Sequence, residues 1–181
     1  MRTVALITVF VVLAGVFCGG KTGSQTPAVV AKWPAEATGT LTEDELAQFV
    51  KVLPAFSAAL KAANWTPTAP KEGDGPAASL TAFVEGMNVA GLDESLKTTG
   101  ARWGTLRPTL YKVVTAMTAL SVDGAPPEMI AQMKKDTSAA AKKGLKDFEA
   151  VKAACSQIPE ANKQLVKSHQ PELQALQTLG R

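Results

Sequence analysis

The sequence predicts an all-α fold, an irregular bundle of five or six kinked amphipathic helices after a signal peptide and a flexible tether. Apolar residues recur at spacings of three and four through most of the chain, which is the pattern of amphipathic helices. Alanine, leucine, lysine and glutamate, which favour helix, are common. Extended alternation of valine, isoleucine and threonine is absent, so the sequence predicts no strand.

The N-terminal residues 1–20 have the pattern of a secretory signal. Arg2 precedes an apolar run from Val4 to Cys18, and this run is shorter than the roughly 20 residues of a transmembrane helix. We therefore expect export, to the periplasm or the outer membrane of a bacterium, or secretion. Residues 21–40 are rich in Gly, Ser, Thr, Pro and Ala, which predicts a flexible tether. Trp33 either docks on the domain or is exposed, and residues 41–181 form the helical domain.

Cys18 has two alternative fates. Lipidation at Cys18 would give a membrane-anchored protein, whereas cleavage by signal peptidase after Gly20 would remove this cysteine. Phe17 departs from the small residue that a lipidation site requires directly before its cysteine, but the tether suits an anchored domain. We favour the anchor and keep both alternatives open. In either case Cys155 has no intramolecular partner, and the fold must rest on its apolar core.

The first two helices have clear signals. Thr42 and Glu45 form a capping box at the start of the first helix, and Pro54 should kink that helix. A loop rich in proline and glycine follows, from Thr66 to Pro76. In the second helix Gly91 is the predicted stop, and its apolar face consists of Leu80, Phe83, Val84 and Met87.

A long central helix should follow, capped by Asp93 and running through Leu120. Gly100 and Gly104 are four residues apart, which predicts that a partner helix packs closely against them, and Gly104 leaves room for Pro108.

The C-terminal part of the chain predicts three further helices. Pro127 suits the first position of the next helix, and Gly144 should end it. The inward candidates in that helix are Met129, Ile130, Met133 and Ala140. A second stripe follows at Leu145, Phe148, Val151, Cys155 and Ile158. The last helix should bend at Pro171, with an apolar stripe at Leu165, Val166, Leu173, Leu176 and Leu179.

Three segments of the sequence resemble small exported helical proteins of bacteria, several of them proposed lipoproteins, that have no assigned activity. These segments are "LTEDELAQFVKVLP", "AGLDESL" and "IPEANKQLVKSHQPELQAL". The resemblance covers most of the mature chain and is one of pattern, without a catalytic motif. It implies an exported helical bundle and nothing about chemistry.

The residues that could carry chemistry all have a simpler structural interpretation. His169 is the single histidine, and one histidine cannot build the usual multi-histidine zinc site. Haem held between His169 and a methionine is an alternative, but methionines at stripe positions usually fill the core. They are Met87, Met117, Met129 and Met133. Cys155 lies on an apolar stripe without a local base, as a buried thiol would. We assign no catalytic residue, metal ligand or cofactor.

The charge pattern limits the partners. The formal net charge of +3 is too weak to indicate nucleic-acid binding. Six lysines make the middle of the chain basic, and they form either a solvated helix surface or a face for anionic lipid: Lys134, Lys135, Lys142, Lys143, Lys146 and Lys152. The sequence therefore predicts a non-enzymatic envelope protein that acts through contacts with an envelope protein or a membrane surface. The alternative is a bundle that binds a small molecule, a metal or haem near Gly100 and Gly104 or around the methionines.

Overall fold

In the computed structural model, residues 33–68 and 74–179 are described, and every regular element within these two ranges is helical. The helices are α1 (Ala35–Thr38), α2 (Glu43–Ala62), α3 (Pro76–Gly86), α4 (Leu92–Leu96), α5 (Trp103–Asp123), α6 (Pro127–Lys135), α7 (Ala139–Cys155), α8 (Glu160–Ser168) and α9 (Gln174–Gln177), with a 3₁₀ turn at Lys97–Thr99. The predicted all-α class is confirmed. The described residues contain nine helices, where the sequence predicts five or six. Helices of one turn are too short to show an apolar stripe, and two of the predicted helices are interrupted.

The capping box at the start of α2 is confirmed. The Glu45 backbone N–H donates to the Thr42 hydroxyl at 3.2 Å, and the Thr42 N–H donates to the Glu45 carboxylate at 2.9 Å. These bonds satisfy two of the donors that a helix N-terminus leaves unpaired. Pro54 lies on the exposed side of α2, and the helix continues past it to Ala62.

Gly91 does not end the second predicted helix. The helix α3 ends at Gly86, with Met87 as its C-cap, and its apolar face is placed as predicted, with Leu80, Val84 and Met87 buried. Gly91 has φ 78°, a left-handed conformation that glycine adopts without steric cost, and it directly precedes α4. The glycine therefore begins the next helix.

The predicted long central helix forms only in its second part, as α5, because Gly100 interrupts the chain before it. Gly100 has φ 75° and follows the 3₁₀ turn, so that α4 and α5 are separate helices. The Asp93 carboxylate accepts a hydrogen bond from the Trp103 N–H at 2.6 Å and so caps α5, ten residues further along the chain. A Cβ atom added at Gly100 or Gly104 would meet nothing within 4 Å, so no partner helix packs against these glycines.

Two predicted boundaries in the C-terminal part are also wrong. Gly144 is buried inside α7 and ends no helix. The break lies earlier, where the Ser138 hydroxyl accepts a hydrogen bond from the Ala141 N–H at 3.1 Å and caps α7. Instead of bending at Pro171, the chain leaves α8 after Ser168 and resumes as the short helix α9.

Residues 33–41, which we call the strap, pack onto the helical domain. Trp33 is only 3% exposed, and its indole Nε1 donates to the Ala154 carbonyl at 2.7 Å. Ala37 and Leu41 are also buried. The sequence assigns residues 33–40 to a flexible tether, and the structure corrects this part of the assignment. The remainder of the predicted tether, 21–32, lies outside the described residues, as does the predicted signal.

Two polar side chains fix the strap to α5 and α8. The Leu41 N–H donates to Asn162 Oδ1, and Asn162 Nδ2 donates to the Gly39 carbonyl, both at 2.8 Å. The Thr115 hydroxyl lies 3.1 Å from the Ala37 carbonyl and 2.8 Å from the Tyr111 carbonyl of its own helix, and its single hydrogen is shared between these acceptors. Asn162 and Thr115 have no solvent exposure, so each buried polar group here depends on a protein partner.

The helix α5 forms the centre of the core. It packs against α1, α2, α3, α7 and α8. Leu110, Val113, Ala116 and Ala119 on α5 are fully buried. Two of these four residues are alanines, whose small side chains occupy little volume in the core.

The first prediction concerns the Asn162 amide. Asn162→Ala should lower the free energy of unfolding by about 2–3 kcal/mol, because it leaves the buried Leu41 N–H without an acceptor and the Gly39 carbonyl without a donor. Denaturant titration monitored by circular dichroism measures this change.

Asn88→Ala is the matched control, because Asn88 is exposed. It should alter the free energy of unfolding by no more than about 0.5 kcal/mol. Equal effects of the two substitutions would contradict the role given to Asn162.

Candidate functional site

A cleft of about 410 Å³ lies between the C-terminal half of α5, α8 and α9. Ligand pockets commonly measure about 300–1,000 Å³, so the cleft can hold a small molecule. Its apolar lining consists of Met117, Leu120, Val166 and Leu173. Met117 and Leu120 come from the stripe of α5, Val166 from α8, and Leu173 from the turn that follows Pro171.

The polar lining of the cleft consists of Ser121, Asp123, Lys167, Gln170 and Gln177, with Gly124 beside them. The Asp123 carboxylate forms an ion pair with Lys163 Nζ at 3.0 Å. The ammonium group of Lys167 has no ion-pair partner within 4 Å among residues 33–68 and 74–179. The cleft therefore combines an apolar floor with one cation, Lys167, which the Glu160 carboxylate attracts without an ion pair within 4 Å.

His169 does not line this cleft. It is the C-cap residue of α8, and its Nε2 lies 2.8 Å from Glu43 Oε1 at the start of α2. Glu172, the only partner that the local sequence offers, is further away, with 4.0 Å between its Oε1 and His169 Nδ1. The imidazole is half-buried and connects α8 to α2.

The methionines are distributed over different parts of the fold. Met87 is fully buried in the core, and Met117 lines the cleft. Met129 and Met133 lie half-exposed on α6. In the described part of the chain no three His, Cys, Asp or Glu side chains form a group that could hold a metal ion.

Cys155 is a buried thiol at the end of α7. It is 4% exposed. Burial, together with the nearby Asp123 carboxylate, raises the pKa of Cys155 to about 12. The thiol is therefore protonated at neutral pH, whereas a nucleophile or a metal ligand would be a thiolate.

A charged cluster that the sequence does not reveal joins α1, α3 and α5. The Arg107 guanidinium contacts the Glu85 carboxylate at 2.8 Å and the Glu36 carboxylate at 3.2 Å. The Tyr111 hydroxyl donates to Glu85 at 3.0 Å, and burial raises the pKa of Tyr111 to about 12. Each charge has a partner within the cluster, so we assign it a structural role. No local signal could have found it, because Arg107 and Glu36 are 71 residues apart.

The second surface of interest is the α6–α7 hairpin, residues 127–155. The helix α6 buries no residue and packs mainly against α7. Met129 and Met133 are half-exposed one turn apart, and Lys134 and Lys135 follow in the last turn of α6. Exposed lysines continue along α7 at Lys142, Lys143, Lys146 and Lys152, of which Lys143 forms an ion pair with Asp147.

Comparison with known proteins found no family, no curated protein and no solved structure that matches the chain. The resemblance to exported bacterial proteins therefore stays a prediction. None of the helices among residues 33–68 and 74–179 is both long enough and apolar enough to span a membrane. Cys18, the predicted lipidation residue, lies outside the described residues.

The second prediction concerns alkaline pH. The unfolded thiol ionises near its ordinary pKa of about 9, whereas the folded thiol keeps its proton until about pH 12. The folded state thus binds more protons between these values, and the free energy of unfolding must fall as pH rises above 9. Cys155→Ala should make this fall shallower, by up to about 1.4 kcal/mol per pH unit.

Denaturant titrations of both proteins across the alkaline range measure the difference. Between about pH 6 and pH 8 neither state ionises the thiol, so the two stability profiles should run parallel there. Parallel profiles above pH 9 as well would contradict the raised pKa.

Proposed function

We propose that this chain is a non-enzymatic, exported protein of a bacterial envelope, an irregular helical bundle that binds an anionic membrane surface through the α6–α7 hairpin. One observation carries the proposal: among the described α-helices, α6 alone buries no residue. A helix that contributes so little to the core and yet keeps an apolar stripe is typical of a helix with an external contact.

The side chains of the hairpin suit the interface of a lipid bilayer. Met129 and Met133 are flexible apolar groups that can enter the acyl boundary without a defined pocket. Lys134 and Lys135 on α6 and Lys146 on α7 can extend their ammonium groups toward anionic headgroups while their methylene chains cover apolar surface.

The hairpin alone should bind weakly. Four carboxylates lie among its six lysines, at Glu128, Asp136, Asp147 and Glu149. A weak basic surface becomes effective when a lipid chain supplies a second attachment, because stable membrane binding requires two such signals. The proposed lipidation at Cys18 would supply it, with 21–32 as the connection to the docked Trp33.

The third prediction tests the hairpin without the lipid. The Cys18→Ser protein should bind vesicles that contain phosphatidylglycerol more tightly than vesicles of phosphatidylcholine, and salt should weaken this binding. Lys134→Gln combined with Lys146→Gln should reduce the affinity on the order of thirtyfold, since each lysine near such a surface contributes about 1 kcal/mol. Vesicle sedimentation measures the bound fraction.

The matched control combines Lys51→Gln with Lys61→Gln, which removes two exposed lysines of α2. This control should bind as the Cys18→Ser protein does. Equal losses in the two double variants would contradict the hairpin assignment. Binding to envelope membranes but not to protein-free vesicles would contradict the lipid proposal and indicate a protein partner.

The wild-type protein should partition into detergent and the Cys18→Ser protein should not, if Cys18 is lipidated.

A further inference from the structure

We propose that the cleft between α5, α8 and α9 binds a small molecule with an apolar body and one anionic group. This inference is independent of the hairpin, because the lining of the cleft includes no residue of 127–155. The apolar residues of the cleft, Met117, Leu120, Val166 and Leu173, form its floor, and the polar residues form its rim.

The floor of the cleft favours an apolar body. Met117, Leu120, Val166 and Leu173 present aliphatic and thioether groups from three separate parts of the chain. Val166 and Leu173 are less than 2% exposed, so the floor is held in place by the core. An apolar ligand that enters the cleft gains from the removal of its surface from water, and the methionine can adapt to its shape.

The rim of the cleft favours an anion over a cation. Asp123, the one carboxylate in the cleft lining, pairs with Lys163, which it shares with Glu160 outside the lining. These carboxylates raise the pKa of Lys163, which holds its charge firmly. Lys167 is then the one charged side chain of the cleft lining that forms no ion pair within 4 Å in the described part of the chain.

Two amides extend the polar side of the cleft. Gln170 and Gln177 line it, and within the described ranges neither side chain has a hydrogen-bond partner. Each amide can donate N–H groups to an anionic oxygen beside Lys167. Ser121 contributes less, because its hydroxyl already donates to the Met117 carbonyl at 2.9 Å. The lining therefore provides a cation and free amide donors beside an apolar floor.

A pair of fluorescent probes tests this inference. The probes are 1-anilinonaphthalene-8-sulfonate and N-phenyl-1-naphthylamine, which share an aromatic body and differ by the sulfonate. The purified protein should bind one molecule of the sulfonate saturably and should bind the neutral probe more weakly. Lys167→Gln should weaken binding of the sulfonate about tenfold, which corresponds to about 1.4 kcal/mol, and should leave binding of the neutral probe nearly unchanged.

Two further variants locate the site. Lys51→Gln removes an exposed lysine of α2 and should change neither affinity. Leu120→Trp places a larger side chain in the floor and should weaken both probes, with circular dichroism to establish that the variant is folded. The Lys167→Gln comparison is decisive by itself, because that lysine is exposed and its loss should not disturb folding. Non-saturable binding, equal affinity for the two probes, or equal effects of Lys167→Gln and Lys51→Gln would overturn the inference.

Discussion

The buried amide of Asn162 is the interaction on which the arrangement of the helices depends. It pairs with the backbone N–H of Leu41 and the carbonyl of Gly39, and so holds the strap against α8. Trp33, Ala37 and Leu41 in the strap are each no more than 3% exposed, so these three side chains are part of the hydrophobic core. Loss of the amide would leave buried polar groups unpaired and would uncover apolar surface, and both effects favour unfolding.

The strap also determines which surfaces remain free for contacts. Asn162, near the start of α8, pairs with the strap. Val166 and Lys167, about one turn later in the same helix, line the cleft. Trp33 holds the C-terminal end of α7 through Ala154, but no buried residue of α6 holds the other end of the hairpin. The packing of the helices thus leaves a small cleft and an exposed basic hairpin, the two surfaces to which we assign contacts.

The sequence correctly predicts the structural features that are determined by residues close together in the chain. The capping box of α2 and the buried face of α3 follow from spacing alone, because local hydrogen bonds and amphipathic periodicity determine them. The prediction at Gly100 is wrong because glycines four residues apart fit a close helix contact as well as a helix end with positive φ. The prediction of a tether at residues 33–40 is wrong because their composition is that of a linker, and the groups that order them, on Ala154 and Asn162, lie far away in the sequence. The cleft likewise combines residues from 117 to 177, and no local pattern could assemble them.

Hydrogen exchange of the Leu41 amide and the Trp33 indole tests most directly whether the strap belongs to the core. Both groups donate to buried acceptors more than 120 residues away in the chain. We predict that both exchange as slowly as the amides in the middle of α5, because only global unfolding would expose them. Exchange at the rate of an unstructured peptide, with α5 still protected, would contradict this account and return residues 33–40 to the tether.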